Sequence, residues 1–279
     1  MAGKTVDAHQ HFWRYDAGEF GWISDEMGAI RRDFVPGDLR PELDAAGVDA
    51  TVVVQARQSL EETDWLLGLA AENAWIAGVV GWVPLVDEGV GAVLERYNGQ
   101  AKLKGVRHVL QAEADAYFAR EDFNRGLGLL KGFGLTYDVL VLERQLGAAI
   151  ALIDRHPGQK FVVDHVAKPR IGDGVLEPWR SQMLDLGRRG NVCCKLSGMV
   201  TEADFGGWTE EQLWPYVETA LEAFGAERLM FGSDWPVCRV AASYGRWLEV
   251  VLGFVGELSA EEQSWVMGGT AIAAYELKF

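Results

Sequence analysis

Short apolar, β-branched runs recur along the chain at fairly even spacing, with more polar segments between them. Most of these runs are apolar on both faces, which is typical of parallel strands covered on both sides of a sheet. They predict eight strands, over residues 5–12, 50–57, 76–83, 103–110, 135–141, 160–167, 191–198 and 228–235.

Helical periodicity fills the segments between the predicted strands. Capping boxes predict helix starts at 59–62, 209–212 and 259–262. Gly47, Gly134 and Gly225 each follow a predicted helix and precede a predicted strand, which is typical of glycines that cap the C-terminus of a helix. Eight strand–helix units in 279 residues predict an α/β protein with a (β/α)8 TIM barrel and one domain over residues 1–279. A doubly wound sheet is the alternative, but it usually has a glycine-rich loop where this chain has His-Gln-His-Phe-Trp.

The longest connection between a strand and the following helix is 13–36, which contains Trp22. In a (β/α)8 barrel such connections lie at the carboxyl ends of the strands, where active sites are found. We therefore expect 13–36 to form a lid over the active site.

The composition argues against several kinds of partner. The formal charge of −15 and the pI of about 4.8 disfavour binding to phosphate backbones of nucleic acids. No apolar run reaches membrane-spanning length and the first residues carry no apolar signal core, so no membrane partner is expected. The three cysteines form no disulfide framework, which fits a cytoplasmic protein. The oligomeric state has no signature in the sequence.

Polar side chains gather at the carboxyl ends of the predicted strands. Because strand side chains alternate, Asp7, His9 and His11 of the first strand are expected on one face. The other strand ends supply Gln55, Arg57, Trp82, Arg107, His108, Tyr137, Asp138, Asp164, His165, Lys195, Ser197, Ser233, Asp234 and Trp235. A polar group buried in a barrel mouth must be paired or functional, because burying it alone is costly.

A metal site is the sharpest interpretation of these strand ends. Barrel closure places the last strand beside the first, which brings Asp234 next to His9 and His11. With His165 they make an N3O set for one zinc ion, and three protein ligands plus water would leave an open catalytic position. The alternatives are that the first-strand pair are satisfied core histidines and that His165 caps its strand.

Residues next to this set have supporting interpretations. Alternation lets only one of Arg107 and His108 face inward, and we expect Arg107 inward. Asp7 is expected to orient an imidazole rather than to bind metal, and Asp164 to be either a similar partner or structural. The three cysteines are expected to pack in the core.

The chain contains the motifs DAHQHFW, QARQSLEET, GVRHVLQ, LTYDVLV, VVDHVAKP, CCKLSGM and FGSDWPVC. Together they resemble the amidohydrolase superfamily, and more narrowly its sugar-lactonase branch, whose typical members act on L-fuconolactone and L-rhamnonolactone. The resemblance runs from the first strand to the GGTA segment near the C-terminus. It implies a distorted (β/α)8 barrel in which His9 and His11 are the first-strand pair, His165 a later-strand histidine and Asp234 the last-strand aspartate.

The same resemblance limits the number of metal ions. Two-metal members carry a bridging lysine or glutamate at the end of strand 4, where this chain has Arg107 and His108. We therefore expect at most one divalent ion, zinc. The lactonase branch includes members thought to work without metal, so a metal-free enzyme is the alternative.

The predicted reaction is hydrolysis of a sugar lactone. Asp234 is expected to act as general base, with zinc, or the imidazoles of His9, His11 and His165 alone, polarising the carbonyl. The predicted substrate-binding residues are Gln55, Arg57, Trp82, Arg107, Tyr137, Lys195, Trp22 and Trp235. The alternatives are a decarboxylase on the same fold, a lactonase for an anionic muconolactone or pyrone, and a non-catalytic sugar-binding barrel. The chain has no G-x-S-x-G stretch, which disfavours a serine-triad hydrolase.

Overall fold

Eight parallel strands form one sheet in chain order in the computed structural model of the protein, which describes residues 3–279. They are β1 (Val6–Gln10), β2 (Ala50–Val54), β3 (Ile76–Gly81), β4 (Leu103–His108), β5 (Thr136–Val139), β6 (Phe161–Val163), β7 (Val192–Leu196) and β8 (Leu229–Phe231). All eight predicted strands are confirmed. Each ends two to four residues before its predicted boundary, and the residues beyond the end belong to the following loop.

The sheet closes into a barrel between its last and first strands. Asp234 N donates to His9 O at 2.8 Å, and His11 N donates to Trp235 O at 2.7 Å. A parallel bridge joins Gln10 to Trp235 at the same place. The predicted (β/α)8 barrel is therefore confirmed, and its seam joins the last residues of β1 and His11 to the residues just beyond β8.

Helices alternate with the strands around the barrel. They are α1 (Pro36–Ala46), α2 (Leu60–Glu72), α3 (Val90–Tyr97), α4 (Glu121–Leu127), α5 (Leu146–Arg155), α6 (Trp179–Leu186), α7 (Glu210–Phe224), α8 (Tyr244–Val255), α9 (Ala260–Ser264) and α10 (Thr270–Ala274). In the described residues no helix is both long enough and apolar enough to cross a membrane.

The predicted capping box at the start of α9 forms completely. At α7 Gln212 Oε1 accepts from Thr209 N at 3.0 Å, but the Thr209 side chain accepts no capping hydrogen bond. At α2 only one half forms. Ser59 Oγ accepts from Glu62 N at 3.0 Å, but the Glu62 carboxylate accepts instead from Ala56 N and Arg57 N, at 2.9 and 2.7 Å. Glu62 therefore stabilises the loop that leaves β2 rather than the first turn of α2.

The apolar core has two layers. The larger layer fills the space between the strands and the surrounding helices. The smaller layer fills the barrel with mostly small and branched side chains, such as Val6, Ala8, Val52, Val80 and Val162, together with Met230. Tyr275 and Leu277, which follow α10, pack into this inner layer and close the end of the barrel opposite the mouth.

An irregularity in β1 changes which way its side chains point. Asp7 pairs with Thr51 and Gln10 with Val53, so β1 contains one residue more than β2 over this interval. The Asp7 carboxylate points outward, where it accepts from Tyr244 of α8 at 3.2 Å. The expectation that Asp7 shares a face with His9 and His11 is therefore wrong, because strict alternation does not survive the bulge.

The connection 13–36, the predicted lid, is folded. Trp13 and Phe34 join its two ends through reciprocal backbone hydrogen bonds of 2.9 Å. Within the connection, the side chains of Phe20, Ile23 and Ile30 are buried. The segment is thus a packed loop with its own apolar contacts, and its role as a lid stays a prediction.

Candidate active site

His9 and His11 face each other just beyond the centre of the barrel mouth. Their Nε2 atoms are 3.1 Å apart, and both residues are buried. His11 Nδ1 donates to Val54 O at 2.8 Å, which leaves the lone pair of its Nε2 facing His9. His9 Nδ1 lies 3.2 Å from both Asp164 Oδ1 and Lys195 Nζ, and Nε2 is the free nitrogen when Nδ1 donates to Asp164. The interpretation as satisfied core histidines leaves two opposed lone pairs unexplained.

Asp234 completes the cluster from the last strand. Its Oδ1 lies 3.3 Å from His11 Nε2, 3.8 Å from His9 Nε2 and 3.9 Å from His165 Nε2. Both Asp234 and His165 have left-handed backbones, with φ of 56° and 54°. Left-handed residues other than glycine each cost of order 1–3 kcal/mol and are concentrated at functional sites. The fold therefore maintains strain in order to aim these two side chains at one point.

The donor atoms of this cluster fit a single metal ion. Ligand atoms around a tetrahedral zinc with bonds of about 2.1 Å are about 3.4 Å apart. His9, His11 and Asp234 have separations of 3.1 to 3.8 Å, and His165 Nδ1 is held by Ser197 Oγ at 2.8 Å so that its Nε2 faces the same point. Two overlapping groups could hold an ion, namely His9 with His11 and Asp234, and His9 with Asp164 and His165.

Burial and neighbouring charge set the protonation of the cluster. Burial alone would raise the pKa of Asp234, but the three surrounding imidazoles, His165 foremost, lower it below its ordinary value. Burial lowers the pKa of His165 to about 4 and the pKa of His9 well below its ordinary value. At neutral pH the carboxylate is therefore ionised and these imidazoles are neutral, which are the forms that bind metal.

A buried network of charged groups lies beneath the cluster. Lys195 Nζ is 2.6 Å from Asp138 Oδ2 and 3.0 Å from Asp164 Oδ1. Arg107 Nη1 is 3.0 Å from the second oxygen of Asp164. Burial alone would raise the pKa of Asp164, but Lys195 and His9 hold it well below its ordinary value. Two cations and two carboxylates thus face one another inside the barrel.

Arg107 and its neighbour point in opposite directions, as alternation predicts. Arg107 Nη1 lies 3.4 Å from His9 Nε2, whereas His108 faces outward and bonds Glu113 at 2.9 Å. Gln55 is held by Arg107, with Nη2 donating to Gln55 Oε1 at 3.0 Å and Gln55 Nε2 donating to Arg107 O at 3.3 Å. Arg107 and Gln55, two of the predicted substrate-binding residues, therefore lie beside the His cluster and hydrogen-bond each other.

Arg57 lies apart from Gln55, in an aromatic and acidic cavity under the connection 13–36. Its guanidinium pairs with Glu19 of that connection and approaches the buried Glu62 at 3.7 Å. The cavity has a volume of about 390 Å³ and is lined by Trp13, Arg14, Tyr15, Asp16, Glu19, Phe20, Arg57, Glu61, Glu62 and Trp65. The sequence points to none of its lining residues except Arg57, because a packed loop brings them together.

Three predicted substrate-binding residues are placed away from the mouth, which corrects the expectation for each. Tyr137 packs outward between Phe123 and Phe161, with ring centroids 6.1 and 6.2 Å away. Trp235 is fully buried against Phe12 and Phe34. Lys195 lies beneath the cluster, with its ammonium group on Asp138 and Asp164. Tyr137 points outward because strand side chains alternate, and Trp235 is buried because it forms the barrel seam. Lys195 is held beneath the cluster by its charge pairs.

The remaining two predicted residues lie nearer the surface. Trp22 is 46% exposed on the connection 13–36, edge-on to Trp13 at 6.0 Å. Trp82 is half-buried at the end of β3, and its indole Nε1 is buried without a hydrogen-bond partner among the described residues. Their roles in substrate binding stay predictions.

One buried residue and one hydrogen bond that support the cluster could not be predicted from the sequence. Tyr275 OH donates to Asp138 Oδ2 at 2.7 Å, although Tyr275 follows the last helix and belongs to no strand end. Ser197 was noted as a strand-end residue, but its hydrogen bond to His165 was not foreseen. The sequence carries no signal for the first contact, because it depends on how the C-terminal segment folds back into the barrel.

Comparisons with known proteins show the family to which the chain belongs. The family model described as amidohydrolase matches residues 6–277. The chain is 42% identical to an L-fucono-1,5-lactonase of Burkholderia multivorans, over 99% of this chain and 97% of that protein. It is 37% identical to an L-fucono-1,5-lactonase of Burkholderia ambifaria, over 98% and 95%. A crystal structure of an amidohydrolase from Burkholderia multivorans with bound zinc matches with a TM-score of 0.96 and 43% identity, over 99% of this chain and 100% of that one.

Proposed function

Since the chain belongs to the amidohydrolase family, we propose that it hydrolyses a sugar lactone, with L-fucono-1,5-lactone as the first substrate to test. The observation that carries this proposal is the likeness, over nearly the whole length, to two L-fucono-1,5-lactonases. The product would be the open-chain aldonic acid. The stereochemistry and ring size proposed for the substrate are those in the names of these two relatives.

Asp234 is the general base in this proposal. It is ionised at neutral pH and lies 3.3 Å from His11, at the point where the free Nε2 atoms of the cluster converge. A carboxylate there can accept a proton from the attacking water as the new C–O bond forms at the lactone carbonyl. When the ring C–O bond breaks, the same carboxyl group can return that proton to the leaving oxygen.

One divalent ion, zinc, is proposed for the same cluster, held by His9, His11, His165 and Asp234. The donor set suits zinc, and the amidohydrolase from Burkholderia multivorans was crystallised with zinc bound. When bound, the ion would polarise the carbonyl and stabilise the negative charge that develops on its oxygen. Elemental analysis of protein purified without chelator should give one equivalent per chain, and two equivalents would contradict the single site.

The substrate ring is proposed to lie between the cluster and the connection 13–36. Arg107 and Gln55 are beside His9 and can hydrogen-bond hydroxyl groups of the ring. Trp82 offers a buried indole N–H without a partner in the described residues. Arg57 and Trp22 lie on the outer side, where they can contact the far edge of the ring or the closed connection.

A lactonase assay tests the proposal directly. Hydrolysis of a neutral lactone releases a proton, so a pH indicator follows L-fucono-1,5-lactone, L-rhamnonolactone and a panel of other aldonolactones. The expected kcat/KM for at least one of them exceeds about 10⁴ M⁻¹s⁻¹. Turnover of a pyrone dicarboxylate alone would indicate an anionic substrate. CO2 release from an aromatic acid would indicate a decarboxylase, and binding of aldonolactones without turnover would indicate a sugar-binding barrel.

A cytoplasmic location is also proposed. All three cysteines are free, and Cys194 and Cys238 are buried with raised pKa values, so none forms a disulfide or a reactive thiolate. The formal charge of −15 gives no reason to propose a nucleic-acid partner. Fractionation of the source cell, with activity assayed in each fraction, tests the location.

A further inference from the structure

Tyr275 connects the closed end of the barrel to the active-site end. It follows α10 and is buried in the inner apolar layer, so only its hydroxyl group points up the barrel. That hydroxyl donates to Asp138 Oδ2 at 2.7 Å. The same oxygen of Asp138 accepts from Lys195 Nζ at 2.6 Å. A continuous chain of contacts therefore leads from the C-terminal segment to Lys195.

Lys195 stands next to the imidazole that the proposed metal site depends on. Its Nζ is 3.2 Å from His9 Nδ1, and Asp164 Oδ1 is also 3.2 Å from that nitrogen. The two neighbours have opposite requirements, since a carboxylate only accepts a hydrogen bond and an ammonium group only donates one. His9 Nδ1 can satisfy only one of them at a time.

Which of Asp164 and Lys195 bonds His9 Nδ1 decides whether Nε2, the nitrogen that faces the mouth, has a lone pair or a proton. If Nδ1 carries the proton and donates to Asp164, then Nε2 has a free lone pair for a metal ion. If Lys195 donates to Nδ1 instead, the proton of the neutral ring moves to Nε2 and His9 cannot be a ligand there. Asp138 draws the ammonium group to 2.6 Å, shorter than its distance to His9, and Tyr275 in turn holds Asp138.

We propose that Tyr275 and Asp138 are positioning residues that hold Lys195 on Asp138, so that Asp164 is the hydrogen-bond partner of His9 and Nε2 is the free nitrogen. They touch neither substrate nor metal and act through Lys195. This inference rests on the proposed function in one respect only, namely that His9 binds the divalent ion through Nε2.

The test is the tautomer of His9 in metal-free protein. The chain has five histidines, so ¹⁵N-histidine labelling gives few enough signals to assign with His108→Gln and His156→Gln reference variants. Wild type should show His9 protonated at Nδ1. Tyr275→Phe and Asp138→Asn should shift it toward protonation at Nε2, and zinc affinity, measured by competition with a chromophoric chelator, should fall about 10–100-fold.

Tyr244→Phe is the matched control. Tyr244 is also buried, and its hydroxyl also donates to a carboxylate, that of Asp7 at 3.2 Å, but on the outer side of β1. Its loss should lower Tm by a similar amount while leaving the His9 tautomer and zinc affinity within about two-fold of wild type. A Tyr275→Phe protein that keeps the wild-type tautomer and zinc affinity, or that changes both no more than Tyr244→Phe does, overturns the proposal.

Activity separates this inference from the proposed function. If wild type hydrolyses no lactone but its His9 tautomer still changes in Tyr275→Phe, the reaction is wrong and the positioning role holds. If wild type is an active lactonase, Tyr275→Phe should lower kcat with little change in KM, because the contacts that bind the sugar ring are untouched. An unchanged tautomer overturns the positioning role whatever the reaction is.

Discussion

At the scale of single residues, the active-site cluster depends on side chains that the backbone holds in strained conformations. Asp234 and His165 both sit at positive φ, and both aim at the free nitrogens of His9 and His11. A conformation that costs stability persists only where the surrounding structure enforces it. Changes to these residues should therefore affect the reaction far more than the fold.

Replacement Asp234→Asn tests the general base. The amide has nearly the same size as the carboxyl group but cannot accept the proton of water, so kcat/KM should fall about 10²–10⁴-fold. Initial rates with L-fucono-1,5-lactone measure the loss, and circular dichroism with Tm verifies the fold. A variant that retains more than roughly a tenth of the wild-type rate would show that another group takes the proton.

Replacement Gly198→Ala tests the placement of His165. Gly198 has φ of 60°, and a Cβ there would lie 2.5 Å from His165 Nδ1. We expect the imidazole to be displaced and kcat/KM to fall about 10–100-fold. Gly174→Ala is the control, because Gly174 has φ of 66° with no atom within 4 Å of the added Cβ. If both variants lose the same activity, the loss comes from strain at a positive φ rather than from displacement of His165.

At the scale of secondary-structure elements, most of the barrel could be predicted and the local departures could not. All eight strands and the capping box of α9 follow from hydrophobic periodicity and local hydrogen-bond chemistry. The bulge in β1 has no sequence signature, so Asp7 was expected on the wrong face. Trp235 was expected in the mouth because the strand end was predicted to run on, whereas the chain turns there to form the seam.

The half-formed capping box of α2 gives a prediction about pH. Burial raises the pKa of Glu62 from an ordinary 4.5 to about 7. Because the folded protein holds this proton more tightly than the unfolded chain, the free energy of unfolding falls as pH rises from about 4.5 to about 7 and then levels off. At about 1.4 kcal/mol for each pKa unit, the cost reaches about 3 kcal/mol above pH 7.

Glu62→Gln removes that cost but keeps an oxygen for Ala56 N and Arg57 N. The difference in Tm between the variant and wild type should therefore move in favour of the variant as pH rises from about 5 to about 8. Glu61→Gln, an exposed residue in the same helical turn, provides the control and should show no such trend. A Tm difference for Glu62→Gln that is the same at both pH values would mean that Glu62 is not buried with a raised pKa.

At the scale of the whole molecule, the charge of −15 acts on substrate and product differently. A neutral lactone is not steered by this field, so kcat/KM should change less than about two-fold between about 0.02 and 0.5 M NaCl. The aldonate product is an anion and is repelled, so it should inhibit more weakly at low salt than at high salt. Progress curves with added aldonate measure both effects. A kcat/KM that rises steeply with salt would indicate an anionic substrate.

The barrel seam has a consequence for when the enzyme becomes active during synthesis. The backbone of Asp234 bonds that of His9, and Trp235 bonds His11, so the two ends of the chain build the seam and the site together. On the ribosome, His9 and His11 emerge first and remain without their aspartate until β8 has followed. A chain that ends before β8 has His9, His11 and the Asp164–His165 pair, but it lacks the carboxylate that lies 3.3 Å from His11 Nε2. Its first strand also has no last strand to bond. We therefore expect lactonase activity to appear only after β8 has been synthesised.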